Sequence, residues 1–291
     1  MAAALTVGGV LVLAAGLWDM FRTLLHPTGQ GVLSRMVMAG LWRFSRATGH
    51  RLLVVGPSGM LAVLLLWVLM QAVGWALIYL PHVPEGLVYS SGIDPADYSD
   101  AVESLYLSAV TLTTLGYGDV VPTDPWIRAV SPVEALTGFA LLTAGLTWFT
   151  QIYRPLSRRR SLALELKALA GTCFADQLGE IQPEIVTRVL DTLTTEVGRV
   201  RIDFAQHSEG FYFQEKDPAL SLPHQVTYLL RLRDSAVHAP GSAVRSSGGR
   251  LSVAVCQLST VLDDTFLHVG APPEEVLTAY ATQHGHHRAP A

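Results

Sequence analysis

Residues 110 to 122 read Val-Thr-Leu-Thr-Thr-Leu-Gly-Tyr-Gly-Asp-Val-Val-Pro, a segment from which the architecture of the chain follows. Gly116 and Gly118 alternate with Leu115 and Tyr117. Glycine enters left-handed backbone at no steric cost, so an extended segment with glycine at alternate positions can aim successive carbonyl oxygens at one axis. Residues 106 to 113, just before it, read as a short apolar helix. Long apolar runs flank the whole unit, at residues 60–80 and 129–153. Non-helical backbone at membrane depth is tolerated only inside protein or along a water-filled cavity. The expected element is therefore re-entrant: a helix that enters the membrane and an extended loop that leaves it.

Composition points the same way. Of 291 residues, 50% are hydrophobic and 15% charged, and the mean hydropathy is +0.35, values that belong to membrane proteins. A third apolar run covers residues 4–25. A bilayer needs about 20 apolar residues at roughly 1.5 Å each, so all these runs are long enough to span. The first run lacks a basic leading segment and a small-residue cleavage site, and reads as a retained helix. Arg22, Arg35, Arg43, Arg46 and Arg51 stand without an acidic residue between positions 20 and 84, and Arg154 with Arg158, Arg159 and Arg160 follows the third span. Residues 81–128 hold Glu85, Asp94, Asp97, Asp100, Glu103, Asp119 and Asp124 against Arg128 alone. By the bias of basic residues to the cytoplasmic side, the expected topology is multi-pass in the cell membrane, with the amino terminus outside and the carboxyl-terminal region in the cytoplasm. The formal net charge of −4 says little, because each compartment carries its own sign. Cys173 and Cys256 are too few for a disulfide framework and read as reduced thiols.

Between the spans, Asp19 and Arg22 fall three apart on one helix face, which predicts a pair at headgroup level. Residues 31–52 mix Leu33, Met36, Val37, Leu41, Trp42 and Phe44 with arginines, the pattern of a basic amphipathic helix lying along the inner leaflet. Beyond residue 154 the chain reads as a separate helical domain. Ile185, Val189, Leu193, Val197 and Val200 recur at helical spacing after Pro183, and Leu251, Val255, Leu258, Leu262 and Phe266 repeat the period. Weaker helices are expected at 161–178, 223–238 and 272–283. Residues 239–249 read as a mobile loop rich in Gly and Ser.

Thr114, Leu115, Gly116, Tyr117 and Gly118, followed by Asp119 and Pro122 and then by Trp126 and Gly138, resemble the selectivity loop and inner helix of the potassium channel superfamily. The resemblance covers residues 100 to 155. It is nearest to one-loop bacterial relatives of the two-pore potassium channels, with an added leading helix. It implies an all-α membrane protein with three transmembrane helices, a pore helix, a re-entrant selectivity loop and a helical cytoplasmic domain. The domains are then residues 1–56 (extra helix and interfacial segment), 57–155 (outer helix 57–80, pore helix 100–113, filter 114–118, inner helix 129–153) and 156–291. A dehydrated cation needs oxygens in place of its lost water. The resemblance assigns these to the Thr114 hydroxyl and the carbonyls of Thr114, Leu115, Gly116 and Tyr117, which would hold K+. One loop per chain cannot surround an ion, so the expected partner set is a homotetramer in membrane lipids. Neither nucleic acid, nor a cofactor other than K+ in the filter, nor enzymatic activity is expected.

The same resemblance assigns supporting roles. Thr111 falls where a hydroxyl partner of Tyr117 is expected, and Tyr106 where an aromatic contacts Asp119, which predicts a Tyr106 to Asp119 hydrogen bond. Leu107 replaces a more usual aromatic brace, Leu115 a more usual valine, and Val110 a glutamate that some bacterial relatives bury. Gly138 marks a hinge in the inner helix or a close helix contact. Phe139, Leu142, Leu146 and Thr150 would line the inner cavity. Glu134 is an expensive group inside a span and should face protein, at the pore helix or the outer helix. It reads as a neutral hydrogen-bonded acid, with proton sensing as the sharper alternative.

For regulation the residues name no ligand. No apolar helix carries arginine at every third position, which argues against a voltage sensor, and no Gly-x-Gly-x-x-Gly follows a strand. His284, His286 and His287 read as a disordered tail, with weak metal binding as the alternative, since three histidines without a fixed scaffold define no geometry. The leading expectation is a passive potassium-selective pore. The alternatives are a weakly selective cation channel and a membrane-tethered sensor whose helical domain carries the main role.

Overall fold

The computed structural model describes residues 1–26, 30–48 and 54–285. Its helices are α1 (Ala2–Leu24), α2 (Val32–Ala47), α3 (Val55–Tyr79), α4 (Asp100–Leu112), α5 (Pro125–Gln151), α6 (Tyr153–Gly171), α7 (Pro183–Gln206), α8 (Leu222–Val237), α9 (Ser242–Leu262) and α10 (Pro273–Gln283), and two short strands are β1 (Leu87–Tyr89) and β2 (Val120–Pro122). Among the described residues three helical stretches are long and apolar enough to cross a membrane: Ala2–Leu24, which is α1, Val55–His82, which is α3 with the turn after it, and Pro125–Gly171, which takes in α5 and α6. The chain forms two compact units, Met1–Val37 with Met60–Thr150 and Met38–Gly59 with Gln151–Ala291. This division differs from the one expected at residues 56 and 155, because the second half of α2 groups with the carboxyl-terminal helices.

In the first unit, α1 buries a stripe of Gly9, Leu13, Gly16 and Asp19. Leu13, Trp75, Ile78, Tyr79, Val83, Leu87, Leu107, Val120 and Ile127 form one apolar cluster. Asp19 does not pair with Arg22 as expected. Its carboxylate accepts hydrogen bonds from the Leu33 N–H at 2.8 Å, the Ser34 N–H at 3.2 Å, the Ser34 hydroxyl at 2.5 Å and the Trp67 indole N–H at 3.0 Å. The first turn of a helix leaves N–H groups unpaired and carries the positive end of the dipole. A carboxylate from the preceding helix is a better partner for them than a solvated arginine one turn away.

β1 pairs antiparallel with β2, with Leu87 opposite Pro122 and Tyr89 opposite Val120. This two-stranded sheet is an addition to the all-α reading, and three residues per strand are too few to show alternation in sequence. Gly138 of α5 meets the end of α4, where a Cβ would collide with the Leu112 carbonyl. Of the two roles weighed for this glycine, the structure displays the close approach.

In the second unit, α7 buries Val186, Leu190, Leu193, Val197, Val200 and Phe204. The buried stripe begins one residue later than the periodicity from Ile185 suggests, and Ile185 is exposed. α9 buries Leu251, Val255, Leu258 and Leu262 as expected. The stretch expected as a mobile loop is largely the start of α9. One of its glycines serves packing: a Cβ on Gly248 would stand 2.7 Å from the Ala236 carbonyl carbon, so α8 and α9 touch backbone to backbone. The apolar face of the second half of α2 is also covered by protein. Met38, Trp42 and Ser45 are buried, and the Trp42 ring packs on Phe211 at 5.7 Å and Tyr212 at 5.8 Å. An apolar stripe has the same sequence pattern whether lipid or protein covers it, which is why residues 31–52 read as interfacial. Arg51 of that segment lies outside the described residues.

Candidate functional site

The site grows out of the end of α4. The Thr113 N–H caps the helix on the Ala109 carbonyl at 3.1 Å, and the chain then leaves the helix. The N–H of Thr114 donates to the Thr111 carbonyl at 2.9 Å, and those of Leu115 and Gly116 donate to the Val110 carbonyl at 2.9 and 3.4 Å. Thr114, Gly116 and Gly118 hold φ of 57°, 54° and 77°, so left-handed residues alternate with ordinary ones along the loop. Glycine carries that geometry freely, but a β-branched threonine does so at a cost of about 1–3 kcal/mol. The backbone N–H groups at the start of the loop are thus spent on α4. Among the described residues, the carbonyls of Thr114, Leu115, Gly116 and Tyr117 accept no hydrogen bond. Unpaired carbonyls in sequence are unusual for a folded backbone, and they are the groups that can replace water around a cation.

The far end of the loop is pinned. The Tyr106 hydroxyl donates to the Asp119 carboxylate at 2.5 Å, the bond anticipated from the sequence. The Val120 N–H donates to the other Asp119 oxygen at 3.1 Å. The Ser90 N–H donates to the Asp119 carbonyl at 2.8 Å, and the Ser90 hydroxyl to the Gly118 carbonyl at 3.4 Å. Ser90, just after β1, therefore clamps the loop at Gly118 and Asp119, and no signal in the sequence around Ser90 announces it. Thr111 and Tyr117 form no hydrogen bond with each other within the chain, and the Tyr117 side chain is 69% exposed. At the start of α5, the Asp124 carboxylate accepts from the Trp126 N–H at 2.8 Å and lies 2.9 Å from His82 Nδ1. The Trp126 N–H, and after it His82, hold the Asp124 carboxyl below the usual carboxylate range.

Behind the loop, Glu134 of α5 is fully buried and faces both elements expected of it. It accepts from the Tyr79 hydroxyl of α3 at 2.5 Å and lies 2.6 Å from the Ser108 hydroxyl of α4. Ser108 is also 2.9 Å from the Ala72 carbonyl. A serine has one proton and a carbonyl only accepts. Both Ser108 contacts are hydrogen bonds when the Glu134 carboxyl is neutral and donates to Ser108, which donates to Ala72. Tyr79 and Ser108 escape a reading of the sequence, since a tyrosine at a span end and a serine in an apolar helix are common.

On α5, Phe139, Leu142 and Leu146 share one face and are exposed in the single chain, Phe139 by 62%. Thr150, one turn further, bonds its hydroxyl to the Thr147 carbonyl at 2.8 Å. Of the three tail histidines, His286 and His287 lie outside the described residues. His284 is part of a packed cluster and not a disordered end, and both of its ring nitrogens lie 2.9 Å from backbone carbonyls. Among the described residues no group of three or more His, Cys, Asp or Glu could hold a metal ion.

Comparison with known proteins bears on this geometry. Residues 62–154 match the model of a family described as Ion channel. The chain is 29% identical over 168 residues to the uncharacterized membrane protein YdjJ of Bacillus subtilis, covering 56% of this chain and 48% of that protein. It is 33% identical over 108 residues to protein LctB of Bacillus caldotenax, covering 36% of this chain and 77% of that protein. It is also 44% identical over 41 residues to two-pore potassium channel 5 of Arabidopsis thaliana, covering 14% of this chain and 10% of that protein. The chain thus spans about half the length of YdjJ and a small part of the plant protein. No solved structure matches.

Proposed function

Since the chain belongs to the ion channel family, we propose that it conducts potassium passively across the cell membrane, through a pore that four copies build around one axis. The observation that supports this most is the loop itself, with left-handed φ at Thr114, Gly116 and Gly118 and four successive carbonyls left without partners. In this reading each chain contributes Thr114, Leu115, Gly116 and Tyr117 oxygens to rings that replace the hydration shell of K+. Ions move down their gradient, and repulsion between neighbouring sites speeds their exit. α4 acts as the pore helix, and the negative end of its dipole favours a cation near the membrane centre.

The exposed side chains of one copy fit the same reading. Leu115, Tyr117, Phe139, Leu142 and Leu146 are large apolar groups left open in the single chain, next to the loop or on α5. Neighbouring copies would cover some of them and an inner cavity would use the others. In this reading the amino terminus lies outside and the helical second unit in the cytoplasm, an orientation that the arginine distribution supports.

The test is substitution of the loop glycines. Gly116→Ala and Gly118→Ala force a side chain into the left-handed region, at a cost of roughly 1–2 kcal/mol per residue, with nothing within 4 Å for a Cβ to strike. Both variants should assemble normally and lose potassium flux from liposomes. Parental flux in both would overturn the proposal.

A further inference from the structure

His284 sits at the carboxyl end of α10 and is 6% exposed. Its Nδ1 lies 2.9 Å from the Tyr280 carbonyl oxygen and its Nε2 2.9 Å from the Phe211 carbonyl oxygen. A carbonyl can only accept, so each contact is a hydrogen bond only when the nitrogen facing it carries a proton. A neutral imidazole has one such proton and an imidazolium has two. The geometry is therefore complete only for the charged ring.

The surroundings suit that charge. The ring centroids of Trp42, Phe211 and Tyr280 stand 5.0, 4.9 and 4.6 Å from that of His284, within the roughly 6 Å over which aromatic rings attract a cation. Phe211 also stacks on Phe266 at 4.2 Å. His284 thus lies where the second half of α2, the turn Ser208–Tyr212 and α10 come together in the second unit.

We propose that His284 is a proton-operated clasp: as an imidazolium it fastens α10 and the second half of α2 to the Ser208–Tyr212 turn, and loss of its proton releases one carbonyl and the aromatic attraction together. Because α2 leads in sequence into α3, the clasp gives the carboxyl-terminal helices a pH-dependent hold on the segment that precedes a membrane-length helix. The inference does not rest on the channel reading.

The charged groups facing this cluster among the described residues leave room for a cation. From α6, Arg159 donates to the Gly210 and Phe213 carbonyls at 2.6 and 2.9 Å and is 3.8 Å from Glu215. Its charge also acts on Tyr280, so it is a like charge beside the cluster, engaged by these carbonyl and carboxylate partners. From the turn, Glu209 faces His207 at 3.8 Å. Next to Phe266, Asp263 is engaged by the Val269 and Gly270 N–H groups. On α10, Glu274 pairs with Arg233 at 2.7 Å, and Glu275 lies in the same first turn. On α2, Arg43 and Arg46 are exposed.

The experiment is hydrogen exchange read by mass spectrometry on the full chain in lipid nanodiscs, from pH 5.5 to 8.5, corrected for the intrinsic pH dependence of exchange. Peptides covering residues 38–47 and 276–284 should be protected at the acid end and lose protection as the pH rises, by up to tenfold per pH unit once the proton is off. His284→Phe keeps an aromatic ring without N–H groups, and should show low, pH-independent protection in both peptides. His207→Gln should keep the wild-type step. If His284→Phe does not fold, His284→Gln carries the same expectation. A wild-type protein whose two peptides show no pH step, or a folded His284 variant that keeps it, overturns the proposal.

Discussion

The Tyr106 hydroxyl reaches across the loop to Asp119 at 2.5 Å, and a bond to a carboxylate contributes about 1.5–3 kcal/mol. Tyr106→Phe removes it and leaves the rest of the site in place. Single-channel openings should become shorter in that variant, and open times equal to the parent would contradict the role given to this bond. Glu134 permits a second test, because its oxygens satisfy the Tyr79 hydroxyl and meet Ser108. Glu134→Gln can still accept from Tyr79 and donate to Ser108, so its thermal unfolding should stay close to the parent. Glu134→Leu removes the acceptor of the buried Tyr79 hydroxyl proton, which costs about 1–3 kcal/mol. A Leu variant as stable as the Gln variant would show that the network contributes nothing. If instead Glu134 senses protons, Glu134→Gln should remove any pH response of the current, and an unchanged titration would discard that role.

At the scale of elements, Gly138 and Trp42 separate packing from other roles. The Gly138 Cα lies so close to the Leu112 carbonyl that Gly138→Ala should force α5 away from α4. Overpacking of this kind typically costs 1–3 kcal/mol, and it should appear as lower thermal stability. A hinge role alone would leave stability intact and change only gating. Trp42→Ala should destabilise the second unit by about 3–5 kcal/mol, since Trp42 is buried against Phe211 and Tyr212. An unchanged melting temperature would return α2 to a lipid surface. The membrane-length helices α3 and α5 were legible as long apolar runs, and the stripe of α9 because burial imposes a period on apolar residues. The loop was legible because few residue types tolerate left-handed backbone. What the sequence hid was tertiary: Asp19 capping α2 instead of pairing with Arg22, Ser90 beside a three-residue strand clamping Asp119, and Gly248, which lets α8 and α9 touch. Each depends on a partner distant in the chain, to which local pattern is blind.

For the whole molecule, one loop per chain and the exposed faces around Tyr117 and Phe139 are compatible with the proposed arrangement of four copies. Native mass spectrometry of detergent-released protein should find a tetramer, and a monomer or dimer would leave no enclosed axis. The membership of the ion channel family, the alternating backbone and the unpaired carbonyls then bear on one claim, that peptide oxygens replace the water around K+. The most direct measurement is the reversal potential in a planar bilayer with KCl on one side and NaCl on the other. Each tenfold preference for K+ displaces it by about 60 mV, so the account predicts a displacement well above that value in the direction that favours potassium. A reversal potential near zero would contradict it.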